Sequence, residues 1–300
     1  MKKIIIALLV VSGFTMSCKK DEEVDPTGAV VPQLTFKVDF DETLPRLGNL
    51  GQDVSVGTGN AAQHPNMQSV SLHYIELATN ASTPLGTGQI LYKGIETNAG
   101  GTAAVDIEQA KFAGSGETFI SVDLASLAPG TYEWIRVSLT YQKYEIDYYV
   151  NQPPLTDMNL TGRLASYVGF NNYITSHVIK DSTVVVNANK LQGYWAFEWG
   201  IEHLGILYGG VNKGDGAGVT VVNPISSTSP VPVGSCVVTG QLAIPLVITG
   251  NETSGKSIML AFSINNSFEW SEVNVDGKFE PSVGEVVVDM GLRGLHPYIE

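Results

Sequence analysis

The sequence predicts an all-β chain, with two β-sandwich-like domains following a signal peptide and a flexible tether. Three observations carry that expectation. Apolar residues fall in short alternating runs, and helical spacing is not sustained over any dozen residues. Turn signals recur about every 8–12 residues. The 32 glycines and 14 prolines stand beside only 16% charged residues, a composition that suits turn-rich β structure.

The first segment has a different logic. Lys2 and Lys3 precede an unbroken apolar run from Ile4 to Val11, and Ser12 to Ser17 lead to Cys18. A basic start, a short apolar stretch and a small residue before a cleavage point describe a secretory leader. A spanning helix needs about 20 apolar residues, and this run is too short. Ser17-Cys18 resembles the end of a bacterial lipobox, although Thr15 stands where the commonest form has an aliphatic residue. That resemblance implies residues 1–17 as a lipoprotein signal peptide and fatty acyl chains, such as palmitate, on Cys18. Two or three buried chains hold a protein durably on a bilayer where one is marginal. Lys19, Lys20, Asp21, Glu22 and Glu23 follow at once and resemble the surface-export signal of Bacteroidota lipoproteins. The resemblance implies an outer-membrane, surface-exposed lipoprotein. The charged and then Gly/Pro-containing stretch 18–33 reads as the lipidated tether.

Beyond the tether, Leu34, Phe36, Val38 and Phe40 alternate with polar residues as one half-buried strand. Ser69–Leu77, Gln89–Ile95, Thr118–Leu124 and Glu133–Val150 read as further strands. In the last of these, Ile135, Val137, Leu139 and Tyr141 share a face, and Tyr144, Ile146 and Tyr148 occupy the other. The slip between Gln142 and Lys143 predicts a β-bulge or a strand changing sheets. Asn151-Gln152-Pro153-Pro154 stops the run, because proline cannot continue a ladder. The expected division lies there, between an N-terminal β domain at 34–150 and a C-terminal one at 155–300, with one large β domain as the alternative. The second half repeats the style at Arg163–Gly169, Tyr173–Ile179, Thr183–Ala188, Tyr194–Trp199, Gly218–Val222, Val237–Ile248, Ser257–Ile264 and Glu285–Met290.

Candidate binding residues come from the loops and from one strand. The long Gly- and Asn-rich stretch Asp41–Gln68 contains Arg46 and His64, which makes it the leading ligand-facing surface. A second flexible region spans Gly209–Gly216 and Asn223–Gly234. Trp195, Phe197 and Trp199 share one face of a strand, where they serve either as a platform for sugar rings or as core, the core reading placing Tyr194 and Glu198 near solvent. Glu272, Asn274, Asp276 and Glu280 place oxygen ligands at alternating positions around Gly277, partly resembling a calcium loop. Val283 stands where that loop needs a bidentate Glu, and Asp276-Gly277 reads equally as a hairpin turn. His73 and His177 lie within strands and read as structural. Two β portions carrying Trp and His also resemble MbnP-like envelope proteins, which implies copper as an alternative metal. Asp181-Ser182-Thr183 resembles the O-glycosylation signal of exported Bacteroidota proteins, or a turn opening a strand.

Charge and cysteine usage narrow the classes. Lys2 and Lys3 leave with the leader, so the mature chain holds 15 basic against 30 acidic residues, a net charge of −15. Such a surface repels nucleic acid. A lipidated Cys18 leaves Cys236 without a partner, as a small buried hydrophobe. No G-x-S-x-G elbow, H-E-x-x-H helix or dinucleotide fingerprint occurs. The sequence therefore predicts a non-enzymatic binding or accessory module for a glycan or protein partner. An envelope polysaccharide hydrolase and a metal-binding envelope protein are the alternatives.

Overall fold

The computed structural model describes residues 31–48, 51–216, 227 and 229–300. The leader, Cys18, Lys19, Lys20, Asp21, Glu22 and Glu23 lie outside the described residues, as does the strand expected at Gly218–Val222. Residues Pro32–Glu300 form one compact unit. Among the described residues its regular structure is β-strand, with three-residue 3-10 turns as the helical segments.

One long strand organises the unit. β8 (Gly130–Gln152) is paired along one edge with β3 (Asn66–Ala78), which carries β4 (Gln89–Lys93) on its far side. Along the other edge its neighbour changes. β14 (Cys236–Ile248) pairs with Gly130 to Leu139, and β9 (Leu155–Tyr167) pairs with Tyr141 to Gln152. β12 (Tyr194–His203) and β13 (Ile206–Gly214) continue the sheet beyond β9. Three smaller sheets cover it. β1 (Gln33–Asp41) lies between β7 (Thr118–Asp123) and β15 (Lys256–Ser263), with β18 (Leu295–Ile299) outermost. The second holds β11 (Thr183–Leu191), β10 (Asn171–Val178), β6 (Ala104–Asp106) and β5 (Glu96–Thr97). The third holds β17 (Val286–Asp289), β16 (Phe268–Ser271) and β2 (Asn60–Gln63).

The apolar phase of β8 follows from this arrangement. Ile135, Val137 and Leu139 pack with Phe36, Val38, Ile258 and Leu260 in the largest core cluster. Past Thr140, Tyr144, Ile146 and Tyr148 pack with Phe268, Trp270 and Phe279 in another. Strand side chains alternate with period two, so covering opposite faces of one strand requires this switch of phase. β8 stays in its own sheet. Its neighbour and its covering sheet are what change, and register shifts mark the β3 ladder between Ser71 and Tyr74.

Asn151-Gln152-Pro153-Pro154, read in the sequence as the division between domains at 150 and 155, is the tip of the β8–β9 hairpin, with a cis bond at Pro153-Pro154. Proline ends a ladder at a hairpin tip just as it does at a domain boundary. The two halves moreover share a sheet. β1 runs parallel to β15, with Leu34 opposite Lys256 and Asp41 opposite Ser263. Both stretches expected as long loops contain strands, since β2 and the start of β3 fall within Asp41–Gln68 and β13 runs into Gly209–Gly216.

Candidate ligand-binding pocket

Ladder register builds the site. Tyr141 of β8 stands opposite Tyr167 of β9, and Tyr167 stands opposite Tyr194 of β12. One face of the sheet thus presents a row of three tyrosines. β10 crosses this face, and its alternation turns His177 inward between exposed Ser176 and Val178. The rings meet edge to face. Centroids lie 5.0 Å apart for Tyr141–Tyr167 and 5.4 Å for Tyr167–His177, and Phe112 stands 5.3 Å from Tyr141. Aromatic pairs favour such geometry over face-to-face stacking.

These rings surround a cavity of about 310 Å³, whose lining includes Phe112, Tyr141, Tyr167, His177, Lys143 and Glu108. Phe112 is 45% exposed and forms part of the rim. In the wall, hydrogen-bonding capacity is left over. Tyr167 is fully buried and His177 is 8% exposed, yet the Tyr167 hydroxyl and both ring nitrogens of His177 have no hydrogen-bond partner. A buried polar group without a partner costs about 1–3 kcal/mol. Burial raises the Tyr167 hydroxyl far above its ordinary range. Burial, with the charge of Lys213 adding to it, pulls His177 down to about 4. Near neutral pH the imidazole is therefore uncharged, offering one donor and one acceptor. Lys143 is half-buried, and desolvation together with the nearby Arg163 cation lowers its pKa.

The residues singled out in the sequence lie elsewhere. Arg46 is buried and pairs with Glu269, which lies 3.6 Å from Arg293 and accepts from the Gly57 N–H at 2.9 Å and the Asn60 amide at 2.6 Å. Arg46 therefore pins the long loop to β16 and does not face a ligand. His64 is exposed, but its Nδ1 accepts the Asn266 N–H at 3.0 Å, again tying loop to loop. Trp195, Phe197 and Trp199 are half-buried at the edge of the cluster around Tyr148 and Phe268. Phe197 lies over Gly162, where an added Cβ would fall 2.1 Å from its ring. The row is the rim of a core and not a free platform. Its opposite face, expected near solvent, is buried, with Tyr194 at 3% and Glu198 at 8% exposure.

Glu198 has a structural task. It accepts the N–H groups of Lys180, Asp181 and Ser182 at 2.8, 3.1 and 3.1 Å, and the Ser182 hydroxyl at 2.8 Å. Burial opposes its charge, but these bonds outweigh it and hold the carboxyl below its usual value. Asp181-Ser182-Thr183 is thus the turn that opens β11.

The loop expected to hold calcium bonds within itself. Glu272 accepts the Gly277 N–H at 2.6 Å, Asp276 accepts the Lys278 N–H at 3.0 Å, and Asn274 donates to Glu280 at 2.6 Å. These bonds shape its own turn. Among the described residues no three or more His, Cys, Asp or Glu side chains gather in one place. Cys236 is free and buried, and burial pushes its thiol up to about 12, far from a reactive thiolate.

Comparisons of the chain with family models, curated proteins and solved structures return no match. The reading of the pocket therefore stands on its geometry. The sequence held half of the signal, since Tyr141 and Tyr167 each occupy an inward strand position. Their convergence with His177 depends on ladder register, which is not written locally.

Proposed function

We propose that the chain is an envelope lipoprotein, held on the outer membrane through acylated Cys18 and displayed at the cell surface, that binds a sugar-sized ligand without transforming it. The single observation carrying the binding role is the aromatic-lined cavity, two of whose lining residues, Tyr167 and His177, keep three polar atoms without partners in the wall. Ring faces suit the apolar faces of a pyranose, and neutral donors and acceptors suit its hydroxyls. The volume falls at the lower end of small-molecule sites. Glycoside hydrolysis uses two carboxyl groups across the scissile bond. Among the described residues lining this cavity Glu108 supplies one, which favours binding over the hydrolase alternative.

Tyr167→Phe tests the role. Removing an unpartnered hydroxyl leaves the free protein as stable as before or slightly more so, because the group is unsatisfied there. Affinity for a monosaccharide panel, followed by NMR shifts of the Phe112, Tyr141 and His177 rings, is expected to fall by about 2- to 10-fold, the worth of one neutral hydrogen bond. A panel that moves none of these rings sinks the binding role. The anchor has its own test. Mass spectrometry of the native protein is expected to find a diacylglycerol thioether on Cys18, and an unmodified thiol or an intact leader overturns the location.

A further inference from the structure

We infer that the ligand is an acidic sugar, of the uronic acid class, and that Lys143 reads its carboxylate. This rests on the pocket being a saccharide site as proposed above. The inference comes from where cations are left over in an acidic protein. With 30 acidic residues against 17 basic ones, a half-buried lysine ordinarily finds a carboxylate. Lys143, projecting from β8 between Ser69 of β3 and Ala165 of β9 in the ladder, forms no ion pair among the described residues. The charge that reaches it is another cation, Arg163, whose own guanidinium is occupied by Glu145 at 2.5 Å. Lys213 adds to the field at His177 but lines a separate pocket, beside Tyr194 and Asp215.

Among the described residues, Lys143 is thus the one cation in the lining of a cavity whose other lining groups, Glu108 apart, are neutral. The one carboxylate in the lining, Glu108, is exposed in the first turn of a 3-10 segment, where solvent and salt screen it. The repulsion expected from the overall negative charge is likewise screened beyond about 8 Å at physiological salt. A partly desolvated ammonium without an ion-pair partner is a favourable berth for an incoming carboxylate. The ring walls and the unpartnered atoms of Tyr167 and His177 ask for a hydroxylated ring. Lys143 asks for that ring to carry an acid.

Calorimetric titration of the full-length protein with glucuronate, glucose and benzoate separates the claims. Glucuronate is expected to bind about tenfold tighter than glucose or more, the worth of one charge-assisted hydrogen bond. Lys143→Gln is expected to bring glucuronate and glucose within about twofold of one another, and Lys143→Arg, which keeps the charge, to preserve the preference. Equal binding of glucuronate and glucose by the wild type overturns the acidic class while leaving the saccharide reading in place. Benzoate binding as tightly as glucuronate overturns the sugar. A preference surviving in Lys143→Gln overturns the role of Lys143. Silence toward all three ligands overturns both this inference and the saccharide reading beneath it.

Discussion

Glu269→Ala is expected to destabilise the protein by about 3–5 kcal/mol, the cost of removing one partner from a buried ion pair. The carboxylate sits on β16 with 5% of its side chain exposed and answers two guanidinium groups, Arg46 at 6% and Arg293 at 15%. Without it Arg46 is a buried cation facing no counter-charge, and the loop it pins loses the Gly57 and Asn60 bonds as well. Asp289 still holds Arg293, so the damage centres on Arg46. Urea unfolding measures the loss as a lowered midpoint with the slope unchanged. The effect is also pH-dependent, with a defined sign. Burial raises the Glu269 pKa, but the bonds from Asn60, Gly57 and Arg46 outweigh that and hold it below its ordinary value. A depressed carboxyl contributes stability above its unfolded pKa and loses that contribution as pH falls through the folded one. The gap between wild type and variant is therefore expected to be full at neutral pH and to close in acid. A gap independent of pH would assign the loss to packing.

Trp270→Ala, one residue along the same strand, is expected to cost a similar amount, about 3–5 kcal/mol, by an unrelated cause. Adjacent strand residues point to opposite faces. Glu269 turns to the loop and the arginines, while Trp270 turns into the cluster under β8, 1% exposed and with centroids 6.0 Å from Phe268 and 5.5 Å from Phe279. Truncation removes the largest fully buried side chain and leaves a hole that close-packed aromatic neighbours refill poorly. Calorimetry is expected to register a fall in Tm of about 10 °C, at about 2–4 °C per kcal/mol for a domain approaching this size. Trp270→Phe is expected to recover most of it, because the indole N–H has no partner to lose. A Trp270→Ala variant that melts with the wild type would show that this cluster is not a core.

The strands that read clearly from the sequence are those whose burial is one-sided. Leu34, Phe36 and Val38 announce β1 because each is fully buried while its neighbours are half-buried. Asn60-Ala61-Ala62-Gln63 announces nothing, and β2 exists because Ala61 and Ala62 find Trp270 and Glu269 in the ladder. β13 carries three glycines at Gly209, Gly210 and Gly214 and is held by its register with β12. Propensity is silent in such segments and tertiary pairing decides. The same limit governed the charged residues. Arg46 in a Gly- and Asn-rich loop reads as ligand-facing, and its counter-ion lies 223 residues away. Local pattern does reveal that His177 is a strand residue. Whether its nitrogens are satisfied depends on Tyr167 and Tyr194, which other strands deliver.

The parallel ladder between β1 and β15 constrains the order in which the molecule can assemble. The first strand of the unit has a berth bounded by Lys256 to Ser263, a segment that leaves the ribosome more than two hundred residues after it. Until that segment arrives, Leu34, Phe36 and Val38 have only half of their enclosure, and one edge of their strand stays unsealed. Contacts so distant along the chain are the slow ones to close. Completion is therefore a late event, and a truncation anywhere before the final strands strands the opening residues in an adhesive, unfinished state.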